Sequence, residues 1–103
     1  MALVPLDSAR VRVMRSLKNI HSPEAIALLS YKRDRGLVIC CRAEDEYELR
    51  EFGFVNQKTV VQRERLGRML KTAIKREFPR SHKVRLLKLS SPDELKPSTF
   101  HNR

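Results

Sequence analysis

Residues 62–88 read QRERLGRMLKTAIKREFPRSHKVRLLK, and the fold follows from how this stretch is parsed. At 100° per residue, Leu66, Met69, Leu70, Ala73 and Ile74 share one arc of a helix, while Arg65, Arg68, Lys71, Thr72, Lys75 and Arg76 share the other. Val60 and Val61 lie off that rhythm, which puts the helix start near Gln62. Phe78-Pro79 ends it, because a residue before proline is pushed out of the helical region. Residues 84–89 then supply a strand. The same stretch holds ten Lys or Arg against only Glu64 and Glu77, a net +8 within a chain of formal net charge +10. Charge this concentrated predicts a polyanionic partner, since cations that neutralise phosphates release condensed counterions.

Upstream, residues 9–17 alternate at first, with Val11 and Val13 on one side and Arg10 and Arg12 on the other, which predicts a strand. The competing reading is a helix capped by Asp7 or Ser8 with Val13, Met14 and Leu17 on one face. Ser22-Pro23-Glu24 offers an N-cap hydroxyl, a proline at the first helical position and a carboxylate at the positive helix end. A helix is therefore predicted over residues 23–33, although Asp34-Arg35-Gly36 also fits a hairpin turn. The apolar run at residues 37–42 predicts a central strand. Residues 44–56 admit two readings, a short helix ended by Gly53 or the approach to a strand through Phe54, with Asn56-Gln57 turning before Thr59-Val60-Val61.

With 103 residues and 41% apolar content, one globular domain over residues 1–91 is expected, followed by a polar, frayed tail over 92–103. The element order strand, helix, strand, strand, helix, strand predicts an α+β fold of ferredoxin-like type, an antiparallel sheet with two helices on one face. A compact α/β fold with two or three strands is the alternative. No apolar run is long enough to span a membrane, and the start lacks a secretory pattern. The adjacent Cys40 and Cys41 face opposite sides of a strand, form a strained disulfide if joined and a poor zinc site if not. Free thiols in a reducing, cytoplasmic setting are expected.

Arg50-Glu51-Phe52-Gly53-Phe54-Val55 resembles the first ribonucleoprotein signature of RNA-recognition motifs, in which strand aromatics stack on bases. Glu51 stands where that signature has a glycine and Gln57 where it has an aromatic. The resemblance implies base stacking by Phe52 and Phe54; the alternative is core packing beside a glycine turn.

The functional expectation is a non-catalytic nucleic-acid-binding or ribonucleoprotein-associated protein, with RNA ahead of DNA. Its phosphate contacts are assigned to Arg65, Arg68, Lys71, Lys75, Arg76, Arg80, His82, Lys83 and Arg85. Like charges three and four residues apart repel without an intervening anion, a cost that a charged ligand explains. The rival is an interaction or adaptor module, in which this face docks an acidic protein or the acidic cluster from Glu44 to Glu51 of a second copy. Catalysis has little to stand on. The three histidines, His21, His82 and His101, are far apart, Gly36, Gly53 and Gly67 form no phosphate loop, and Ser81 diverges from His82 on extended chain. Carboxylates from Glu44 to Glu51 leave only a magnesium-dependent nuclease as a remote enzymatic reading. No cofactor is expected.

Overall fold

The computed structural model describes residues 2–53 and 56–94. Among them, six strands form one sheet in which every neighbouring pair is antiparallel: β1 (Ala2–Pro5), β2 (Ala25–Leu29), β3 (Gly36–Ala43), β4 (Glu46–Phe52), β5 (Gln57–Gln62) and β6 (Lys83–Leu89). The order is β1-β6-β2-β3-β4-β5. Helix α1 (Leu6–Leu17) carries the chain from β1 past β6 to β2, and α2 (Arg63–Glu77) returns it from the β5 edge to β6. The α+β class and an antiparallel sheet with two helices on one face are as expected. The four-strand ferredoxin-like topology is not, because β1 and β5 extend the sheet to six strands in a different order.

The residues at 9–17 are helical. The alternation that predicts a strand ends after Val13, whereas Ala9, Val13 and Leu17 recur every four residues and are the buried positions of α1. Val11 makes the difference plain: the strand reading places it beside Val13, yet it is 48% exposed and Val13 fully buried. The predicted helix over 23–33 is likewise replaced, by β2 and a hairpin. Ala25–Leu29 is buried at all five positions, with Ile26 and Leu28 in the helix-side core and Ala25 and Ala27 on the opposite side. A run apolar on both alternating faces suits a strand inside a sheet. Before it, His21 N–H donates to Glu24 Oε1 and Glu24 N–H to the His21 carbonyl across a cis Ser22–Pro23 bond. After it, Ser30 closes the turn, its Oγ donating to Asp34 Oδ1 and accepting from Arg35 N–H, with Arg33 in the left-handed region.

The main core lies between sheet and helices, where Leu66, Leu70, Ala73 and Phe78 of the α2 segment meet Ile26, Leu28, Leu37, Ile39, Leu49 and Val84. Helix α2 follows the sequence reading closely, with Gln62 as its N-cap and Phe78 as its C-cap. A smaller cluster on the other face of the sheet joins Ala25, Ala27, Val38, Cys40 and Leu89. Cys40 and Cys41 are free thiols on opposite faces of β3, and burial raises the Cys40 thiol above its usual range. Of the expected tail, Pro92–Glu94 form a short 3-10 turn in contact with β3. The rest of that expectation lies outside the described residues.

Candidate nucleic-acid interface

Helix α2 presents Arg65, Arg68, Lys71 and Lys75 to solvent on the side opposite Leu66, Leu70 and Ala73. From Arg65 to Lys75 the row runs about 15 Å along the helix. None of these four forms an ion pair with a described residue. Helix α1 packs against α2 and contributes an arginine that the strand reading of 9–17 left out of the site. Arg10 Nη1 would lie 3.8 Å from a Cβ placed on Gly67, so this arginine reaches across α2 where that helix is bare. Its helical spacing with Ala9 and Val13 was the available signal.

At one end of the helix layer, Pro5, Leu6, Asp7 and Arg10 face Lys71, Ile74 and Lys75, with Ser81 and His82 closing a groove of about 540 Å³. The Leu6 N–H donates to the His82 carbonyl at 2.8 Å, which ties the start of α1 to the loop after α2. Arg80 and His82 are exposed in that loop.

Three assigned residues stand apart. Arg76 is a structural partner: its Nε lies 2.7 Å from Glu51 Oε2 and its Nη2 2.8 Å from Glu51 Oε1. Burial alone raises the Glu51 carboxyl, but hydrogen bonds from Arg76, Glu77 and Gln57 outweigh it and hold the group below the usual carboxylate range. Arg85 and Lys83 alternate with buried Val84, so both point to the face of the sheet away from the helices. The Arg85 guanidinium sits 4.7 Å over the Tyr31 ring, and its Nε donates to the Tyr31 carbonyl at 3.1 Å. Phe52 also lies on that face, half-buried, with its ring over Gly36, where a Cβ would meet Phe52 Cζ at 2.5 Å. Phe54 lies outside the described residues.

Among the described residues, the acidic cluster apart from Glu44 is paired within the chain. Arg42 and Arg50 pair with Glu46 and Glu48, Asp45 with Arg63, and Glu51 with Arg76. Lys88 of β6 pairs with Glu24, just before β2, and Arg50 also reaches Asp93. Among the described residues no three His, Cys, Asp or Glu side chains converge as a metal site, and no helix is long and apolar enough to cross a membrane. Compared with protein-family models, curated proteins and solved structures, the chain matches none.

Proposed function

We propose that this protein binds nucleic acid, RNA in preference to DNA, as a non-catalytic module whose helix layer contacts the phosphate backbone. One observation carries the reading: a group of cations gathered on the helix layer with no carboxylate matched to them among the described residues. Arg10, Arg65, Arg68, Lys71 and Lys75 on the helix layer are matched to no carboxylate among the described residues, whereas Arg63 and Arg76 at the two ends of α2, and Arg42, Arg50 and Lys88 on the sheet, each have one. A fold that supplies acids to one set of cations and withholds them from the other leaves the second set to an external anion.

The pairing of the acids weakens the adaptor reading, at least in the form that docks one copy's acidic cluster on another's basic face. Glu46, Glu48, Asp45 and Glu51 would first have to release their own arginines. RNA is favoured over DNA because both helices are packed along the sheet and against each other, so neither projects as a recognition helix into a major groove. Fluorescence anisotropy with labelled single-stranded RNA, duplex RNA and duplex DNA over a salt series tests the proposal. Four to six phosphate contacts give a log-log slope of about −3 to −5. Absence of binding at low salt refutes it and directs the search to acidic protein partners.

A further inference from the structure

We infer that the groove between α1 and α2 holds one nucleotide of a single RNA strand, with Arg10, Lys71 and Lys75 on the phosphate and Asp7 on the ribose. This deepens the reading above and rests on it. The groove takes in Lys71 and Lys75 from the row of cations on α2, while Arg65 and Arg68 of that row lie outside it. Its volume of about 540 Å³ falls within the range of small-molecule sites. Its walls divide by chemistry. Arg10, Lys71, Lys75 and His82 provide donors for phosphate oxygens, while Pro5, Leu6 and Ile74 provide apolar surface for a sugar and base.

Asp7 is the one acid among the described residues that line the groove, and no ion pair joins it to any of them. A carboxylate there opposes phosphate, so its presence beside three cations calls for a ligand with a hydroxyl to donate as well as a charge to neutralise. A ribonucleotide has both: the 2′-hydroxyl donates to the carboxylate while the phosphate takes the cations. A deoxynucleotide lacks the donor and leaves Asp7 unanswered. A duplex keeps its bases paired, which prevents one from lying against Pro5 and Leu6.

The test measures binding of one single-stranded oligonucleotide sequence, as RNA and as DNA, to the full chain and to Arg10→Ala, Asp7→Asn and Arg65→Ala. Arg10, Asp7 and Arg65 are all exposed, and thermal melts check that each variant keeps its fold. Arg10→Ala is expected to lower RNA affinity about tenfold and the salt slope by about one, more than Arg65→Ala does. Asp7→Asn is expected to reduce the RNA-to-DNA affinity ratio, which a change in overall charge does not. Equal binding of RNA and DNA by the unaltered protein overturns the inference. So does a ratio unmoved by Asp7→Asn, or an Arg10→Ala effect no larger than that of Arg65→Ala. In each of those cases the wider nucleic-acid reading survives. Failure of the unaltered protein to bind either strand at low salt overturns both.

Discussion

Arg76→Met removes the guanidinium that holds Glu51 while keeping most of the aliphatic side chain. The Glu51 side chain is 1% exposed, and besides Arg76 it is held by Glu77 and by Gln57, whose Nε2 donates to Oε1 at 3.2 Å. Breaking a buried ion pair from one side costs about 3 to 5 kcal/mol, since the remaining charge is left uncompensated. Two features place this site below that range. Arg76 is itself 38% exposed, and the abandoned carboxyl can take up a proton, at about 1.4 kcal/mol per unit of pKa rise. We expect a loss of about 2 to 3 kcal/mol at pH 7 by urea denaturation. Lys75→Met, at an exposed neighbour with no ion pair to a described residue, is expected to change stability by less than about 0.5 kcal/mol. The pH dependence has a definite sign. The Glu51 carboxyl is depressed in the folded chain, so its contribution is fully present above the unfolded value and is lost as pH falls through the folded one. The Arg76→Met penalty therefore shrinks on acidification. Equal losses for the two variants at pH 7, or a penalty that grows as pH falls, refute the assignment of Arg76 to the fold.

Other positions give further outcomes. Gly53→Ala is expected to cost about 1 to 3 kcal/mol by thermal melting, because φ is +122° and the added Cβ would sit 2.6 Å from Glu77 Oε1. Leu70→Ala, at a fully buried position, is expected to cost about 2 to 5 kcal/mol while leaving RNA affinity of the folded fraction unchanged. Arg85→Ala is expected to leave RNA affinity within about twofold, since this arginine is engaged with Tyr31 on the face away from the helices.

Helix α2, β3 and β6 were legible because each is long enough for its period to appear and each is bounded by a local signal, Gly36 at the start of β3 and Phe78-Pro79 at the end of α2 among them. Strand β4 was obscured by Glu51. It alternates Tyr47, Leu49 and Glu51 toward the core, and a carboxylate at the third inward position looks like surface until Arg76 is known to meet it from α2. β2 was hidden by Ser22-Pro23-Glu24, a sound helix start that the chain uses as a turn instead. Strand β1 is four residues long, and its pairing with β6 is a contact across almost the whole sequence that no local pattern announces. For the site, the cations on α2 followed from helical period alone. The assignment of Arg85 and Lys83 to the same face did not survive, since strand alternation turns them away. Arg10 became visible only with α1.

Two triple reversals bring the central claim to a single comparison. Arg68, Lys71 and Lys75 to Glu alters the helix layer; Lys32, Lys58 and Lys83 to Glu alters exposed lysines of the β2–β3 turn, β5 and β6 outside that layer. Each changes the formal net charge by six, from +10 to +4. Binding of single-stranded RNA is measured for both over the same salt series. The account predicts that the first variant loses binding and keeps its fold, while the second retains a steep salt dependence and affinity within about tenfold of the unaltered protein. Equal loss in both variants would show that binding follows net charge and not the helix layer, and would contradict the account.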